Sequence, residues 1–217
     1  RTKLVCVCSP NNPTGTANSA AELEAFVRSL PDHVVVVIDE AYAEYLENPP
    51  DLKPLIRGGK NLICLRTFSK IHGLAALRVG YGYAGAELCG LLNRVRKPFN
   101  VNAIAQVAAQ AALGDTKFPA RCATETRAGL RWIEGELVKL GIDFVPSVAN
   151  FLLVKTGGGM TTFRCMQSNG IIVRPMLSYG LAEWIRISVG SDAQNRHLIT
   201  LLSRICRISC DFPGKGR

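Results

Sequence analysis

Three polar clusters follow apolar runs in the first third of this 217-residue chain. Asn11-Asn12-Pro13-Thr14-Gly15 comes after Leu4–Cys8, Asp39-Glu40-Ala41-Tyr42 after residues 34–38, and Thr67-Phe68-Ser69-Lys70 after residues 61–66. In an open parallel sheet, ligands bind beyond the carboxyl ends of the strands. Three such ends would put an amide, a carboxylate, a phenol and an amine on one rim. Each cluster alone has a plainer account: Asn-Pro and Thr-Gly form turns, an aspartate caps helices, and a lysine is usually solvated. Their convergence points to chemistry. The ligand suited to that set is a ring with a basic nitrogen, an ionised oxygen and an aldehyde, which describes pyridoxal phosphate. An amine can form a Schiff base with the aldehyde. An aspartate beside the ring nitrogen keeps it protonated, so the ring accepts electron density. An amide and a phenol can hydrogen-bond the ring oxygen, and a serine hydroxyl with an arginine can hold the phosphate.

The elements that must position these groups are legible as a pattern. Apolar strands alternate with amphipathic helices, as in an α/β layered fold. Strands are expected at Leu4–Cys8, 34–38, 61–66 and 78–84. Residues 34–38 are apolar without alternation, which suits a strand covered on both faces of a parallel sheet; Leu4–Cys8 also reads as a buried strand. Ser19 and Glu22 form a capping box, followed by Leu23, Phe26, Val27 and Leu30 at helical spacing. Residues 102–113 read as a helix rich in small side chains. Near Gly114 the character changes. A long helix is expected over 116–140, with Leu130, Ile133, Leu137 and Leu140 on its apolar stripe. Short strands follow at 143–145, 150–154, 171–174 and 184–189, and Leu198, Leu201, Leu202 and Ile205 mark a last helix. Gly157–Gly159 reads as a local turn. The expected organisation is a mostly parallel-sheet domain over 1–114, a smaller α+β domain over 115–209, and a disordered tail over 210–217.

Composition narrows the function classes. A hydrophobic content of 47% with 20% charged residues describes an ordinary globular protein. No apolar run approaches the roughly 20 residues that span a bilayer. The net charge of +9 suits anionic ligands or nucleic acid. The basic residues are dispersed, and the densest group, Arg94-Val95-Arg96-Lys97, has no aromatic interleaving, which favours small anions. Of the eight cysteines, Cys6 and Cys8 share one side of a strand and Cys206 and Cys210 one helix face. None shows paired zinc-type spacing, so buried free thiols in a reducing compartment, with no metal, are expected. Arg1 leads straight into an apolar strand with no initiator Met, which suggests that a preceding piece is missing.

Four motifs carry a resemblance: SPNNPTGT, VVVIDEAYAEY, RTFSKIHGLAALRVGYG and KPFNVNAIAQ. NFLLVK, GIIVRPM and YGLAEWIRISVG add to it further on. With them the chain resembles the fold-type I pyridoxal-phosphate aminotransferases, and more narrowly the histidinol-phosphate aminotransferases. The resemblance implies an aspartate aminotransferase-like large domain plus a small α+β domain, in a cytoplasmic homodimer of histidine biosynthesis. It makes Lys70 the Schiff-base lysine and pairs Asp39 with the pyridine nitrogen. Asn12 and Tyr42 would contact the ring oxygen, and Ser69 and Arg78 the cofactor phosphate, with Thr67 nearby. Arg186 would receive the substrate carboxylate and Arg174 the substrate phosphate. Glutamate and 2-oxoglutarate would exchange an amino group with histidinol phosphate and its keto partner, in two stages with Lys70 as proton shuttle. Arginine suits both substrates because its planar fork pairs with carboxylate and phosphate alike.

Pro10 and Pro13 fix their φ angles and Gly15 permits a tight bend, so the Asn12 amide stands on a stiff loop. Relatives often hold the bond at Asn12–Pro13 cis. Ile71 and His72 depart from the family pattern after the lysine, and Ala76 replaces a common glycine; His72 is read as structural rather than as a general base. The resemblance also implies an earlier segment carrying a phosphate loop, a stacking aromatic and a dimer arm, and hence an incomplete enzyme here. Other readings are an aminotransferase for aromatic or aliphatic amino acids, a phospho-amino-acid decarboxylase on the same scaffold, and a non-catalytic basic protein that binds nucleic acid.

Overall fold

The computed structural model describes residues 1–210, with side chains through Ile205. Its contacts divide the chain into two units: Arg1–Asn12 with Thr16–Thr124, and Pro13–Gly15 with the chain from Glu125 onward. The division falls inside the long helix, beyond the change of character near Gly114.

The first unit opens with β1 (Leu4–Cys8), α1 (Ala20–Ser29), β2 (Val35–Asp39), α2 (Lys53–Arg57), β3 (Leu62–Thr67) and β4 (Gly80–Ala84). It continues with α3 (Ala86–Val95), α4 (Ala103–Gly114) and the start of α5 (Lys117–Lys139). The sheet runs β1-β2-β3-β4, with β1, β2 and β3 parallel and β4 antiparallel. The α1 capping box forms as its spacing requires. Ser19 Oγ accepts from the Glu22 N–H at 3.2 Å, and the Glu22 carboxylate accepts from the Ser19 N–H at 2.8 Å. Leu23 and Val27 on α1 then pack with Val36, Ile38, Leu52, Leu55, Leu62 and Cys64. Full burial of each such aliphatic side chain stabilises by about 1.5–3 kcal/mol. A smaller cluster joins Phe68 and Val79 to Ala105 and Ala109 on α4, whose Asn102 cap accepts from the Ala105 N–H at 2.8 Å.

The second unit holds the rest of α5, then β5 (Phe144–Val145), β6 (Phe151–Lys155), α6 (Gly159–Ser168), β7 (Arg174–Pro175), β8 (Trp184–Ser188) and α7 (Asp192–Cys210). Its sheet is antiparallel throughout, in the order β5-β6-β8-β7. Leu130, Ile133 and Leu137 of α5 and Leu198, Leu201 and Leu202 of α7 meet Leu152, Val154, Ile185 and Ile187 of the central strands. Both the capped α1 and the long α5 stand where their apolar spacing puts them, and the α/β class is as expected.

Several local expectations need correction. β1 is not a buried strand: it is the edge of its sheet, and Leu4, Cys6 and Cys8 are exposed. With one neighbour, β2, an apolar run has no second strand to cover it. The thiols are correspondingly not all buried. Cys6, Cys8 and Cys165 are exposed, Cys89 and Cys122 half-buried, and only Cys64 is fully buried among the described cysteines. β7 begins at Arg174 rather than near residue 171 and pairs through two residues, because Pro175 has no N–H to extend a ladder. Gly159 already belongs to α6 rather than to a turn, and a Cβ there would run into the Trp184 carbonyl. The sequence leaves the cis state of Asn12–Pro13 open; among the described residues the cis peptide is Ser9–Pro10. α7 starts ahead of its leucine stripe, and α2 and α3 had no clear signal. The expected disordered tail over 210–217 lies, beyond Cys210, outside the described residues.

Candidate functional site

β2 and β3 are parallel and adjacent, with Asp39 in register with Leu65, so both deliver their polar ends to one side of the sheet. A cavity of about 390 Å³ opens there. Asp39, Arg66, Thr67, Ser69, Lys70 and Arg78 are among the residues that line it. The Asp39 carboxylate accepts from the Ala41 N–H at 2.9 Å, which fixes it at the start of the turn after β2. Thr67 Oγ1 accepts from the Ser69 N–H at 3.0 Å, an ST turn that stiffens the approach to Lys70. The Lys70 ammonium lies 5.2 Å from the centre of the Tyr42 ring, within cation–π range. Tyr42 itself is buried.

Arg78 has φ 55° and ψ 49°, a left-handed backbone that side-chain-bearing residues rarely adopt. It follows the short 3-10 turn Ala75–Leu77. From there its guanidinium donates to the Ala75 carbonyl at 2.6 Å and to Ser69 Oγ at 3.3 Å. A hydroxyl and a guanidinium held together suit an anion such as a phosphate. A carboxylate, an amine and this hydroxyl–guanidinium pair, all around one cavity, fit the donor set that pyridoxal phosphate would need.

Asn12 is not among the lining residues. It stands half-buried on the loop after β1, the strand that pairs Cys8 with Asp39. The loop is anchored by the Ser9 N–H, which donates to the Asp39 carbonyl at 3.0 Å, and by the Asn11 N–H, which donates to Thr16 O at 2.7 Å. His72 packs its ring against Phe68, 5.1 Å between centres. Arg174 and Arg186 lie in the second unit, opposite each other on β7 and β8.

The family described as "Aminotransferase class I and II" matches residues 1–202. The chain belongs to that family. Among curated relatives of this aminotransferase-family chain, the histidinol-phosphate aminotransferase of Akkermansia muciniphila is 44% identical over 204 residues. That match covers 94% of this chain and 56% of the relative, so the chain spans little more than half the relative's length. Among solved structures, the histidinol-phosphate aminotransferase from Sinorhizobium meliloti, in complex with pyridoxal-5'-phosphate, superposes with a TM-score of 0.83 at 30% identity. It covers 95% of this chain and 58% of that one. A Thermus thermophilus aspartate aminotransferase double mutant shares the fold, with a TM-score of 0.81 at 23% identity over 94% of this chain and 57% of that one.

One constellation escaped the sequence reading of this aminotransferase-family chain. Glu40 is only 2% exposed. Its carboxylate accepts from Arg66 Nε and from the Tyr83 hydroxyl, each at 2.9 Å. Burial, then Cys64 and Glu40, push the Tyr83 phenol's pKa up, so it stays a donor. The only signal was a lone charge, Arg66, inside an apolar strand.

Proposed function

We propose that the protein is a pyridoxal-phosphate-dependent aminotransferase that moves an amino group between histidinol phosphate and 2-oxoglutarate, giving the keto partner and glutamate, or the reverse. The observation that carries this reading is that Asp39 and Lys70 border one cavity together with the Ser69–Arg78 pair. The names of the curated relatives support the substrate. The bound cofactor supplies the electron sink that lets an amino group leave one carbon skeleton for another.

The chain's own residues supply the rest. Asp39 would hold the ring nitrogen, and Asn12 and Tyr42 would reach the ring oxygen. Ser69 and Arg78 would hold the phosphate by charge-assisted hydrogen bonds. Lys70, held over Tyr42, takes and returns the proton at the substrate carbon as general base and acid. Arg186 receives the substrate carboxylate and Arg174 the substrate phosphate. The active form is proposed to be a cytoplasmic homodimer. Apolar side chains exposed around α3 and α4, such as Phe99, Ile104 and Val107, are surface that such a contact could cover. No helix among the described residues is long and apolar enough to cross a membrane.

The test is uptake of pyridoxal phosphate, read as a visible absorbance band that Lys70→Ala abolishes, followed by competition between histidinol phosphate and phenylalanine as amino donors. Preference for phenylalanine would move the substrate to aromatic amino acids, and carbon dioxide release would reveal a decarboxylase. Salt-dependent retention on DNA without cofactor uptake would overturn the enzymatic reading.

A further inference from the structure

Glu40 and Arg66 have no part in the roles assigned above, yet they flank them. Arg66 lies on β3, four residues before Lys70, and its side chain is 20% exposed against 3% for Glu40. Besides its 2.9 Å bond to Glu40, the guanidinium reaches Glu44 Oε1 from Nη1 at 3.4 Å. Burial alone would lower the pKa of Arg66, but its bond to Glu40 and the charges of Glu40 and Glu44 outweigh that and raise it. Arg66 therefore stays a cation throughout the working range of pH. A buried ion pair adds little stability over apolar packing of the same volume, so its best-attested use is to specify one geometry.

The geometry it specifies can be read from its ends. Glu40 and Glu44 bracket Tyr42 in the turn that Asp39 begins. Arg66 leads into Thr67, Ser69 and Lys70. The Glu40 N–H also donates to the Leu65 carbonyl at 2.9 Å, so the backbone bond and the ion pair tie the same two segments. We infer that Glu40 and Arg66 are positioning residues whose ion pair, crossing from β3 to the turn after β2, sets the spacing between Lys70 and the Asp39–Tyr42 turn. Those two sides must grip opposite ends of one flat ring. The inference rests on the cofactor reading above.

The test compares Glu40→Gln, Arg66→Lys and Arg66→Met with the wild type. Three quantities are read: affinity for pyridoxal phosphate from the visible band, the pH midpoint of that band, and the melting temperature without cofactor. Glu40→Gln keeps the shape and an acceptor oxygen while removing the charge. It is expected to weaken cofactor affinity by about tenfold or more, since small misplacements are costly in a preorganised site. The midpoint should move, because protonation at the Lys70–cofactor linkage depends on where Asp39 holds the ring. The melting temperature should fall as well, since Arg66 loses the charge of its buried partner, so the midpoint is the readout that separates positioning from stability. Arg66→Lys should fall between wild type and Arg66→Met. Affinity and midpoint indistinguishable from wild type in Glu40→Gln would overturn the inference. So would affinity that falls only in step with melting temperature at an unmoved midpoint, which marks a purely structural pair. If Arg66→Met does not fold, Glu40→Gln and Arg66→Lys decide. A wild-type protein with no Lys70-dependent band would sink the cofactor reading itself and this inference with it. A normal wild-type band with unaffected variants sinks only the tie.

Discussion

Arg174 on β7 stands directly opposite Arg186 on β8. Residues paired in this way project from one face of the sheet with their Cβ atoms about 4.5–5.5 Å apart. Each guanidinium lies over a ring, Arg174 over Tyr179 at 5.7 Å and Arg186 over Phe151 at 4.8 Å. The rings offset part of the repulsion between like charges.

Opposed like charges cost stability, and a ligand with two anionic groups would turn that cost into affinity. Arg174→Gln is therefore expected to raise stability by about 0.2–1 kcal/mol. It should also weaken binding of the phosphorylated substrate by about 1.5–3 kcal/mol, the range for hydrogen bonds to charged groups. Arg186→Lys should raise KM for glutamate by a comparable free energy. Denaturant unfolding and steady-state kinetics with phosphorylated and unphosphorylated substrates check both. Wild-type kinetics in both variants would take the two arginines out of the substrate site.

Arg78, whose guanidinium donates to Ser69 Oγ and the Ala75 carbonyl, stands on a left-handed backbone, a conformation that costs a residue with a Cβ about 1–2 kcal/mol. Comparing Arg78→Ala with Arg78→Gly separates the backbone from the side chain. Both should lose affinity for pyridoxal phosphate to the same extent. The glycine variant should be more stable than the alanine variant by about 1 kcal/mol, measured by denaturant unfolding. Equal stability would show that the backbone relaxes once the guanidinium is gone.

The parts of this protein that were legible in its sequence are those decided within a turn or two of chain. The Ser19–Glu22 cap, the α5 stripe and the polar strand ends at Asp39 and Lys70 need only local spacing and the rule that parallel strands present one rim. What escaped depends on partners far along the chain. Glu40 and Arg66 are separated by 26 positions, and their pairing follows from the β2–β3 register, which apolar runs without alternation do not encode. The exposure of Cys6 and Cys8 was missed for a related reason. LVCVC is apolar whether it is central or at an edge, and only the strand order distinguishes the two.

The first unit should weaken in alkali. Burial, then the charge of Glu40, push the Cys64 thiol from an ordinary 9.0 to about 11. Burial, with Cys122, Glu44 and Tyr42 behind it, pushes the Tyr45 phenol from 10.0 to about 12. Both groups are neutral when protonated, so the folded state binds more protons than the unfolded one within those windows, and stability falls as pH rises. The contribution is complete below the unfolded values and is lost as pH climbs through the folded ones. The denaturant midpoint should thus begin to fall above pH 9.0, and Cys64→Ala should flatten the part of the fall up to about 11. An unchanged slope in that variant would remove Cys64 as the cause. In the native state, thiol reagents should label the exposed Cys6 and Cys165 and leave Cys64 until unfolding.

Gly15 closes the asparagine–proline loop with φ +76°, and its carbonyl accepts from the Val148 N–H at 2.9 Å. A Cβ at this position would run into the Ser147 side chain. Two costs are therefore combined in Gly15→Ala, the left-handed backbone at about 1–2 kcal/mol and the collision. Ser147→Gly removes the collision and leaves the backbone cost. It has a cost of its own, because Ser147 Oγ accepts from the Ala149 N–H at 3.1 Å. A double-mutant cycle isolates the coupling. The double variant should be more stable than the sum of the single changes predicts, yet remain about 1–2 kcal/mol below Ser147→Gly alone. Strict additivity in denaturant unfolding would mean that Ser147 does not limit the space at Gly15, and that the backbone angle alone demands glycine there.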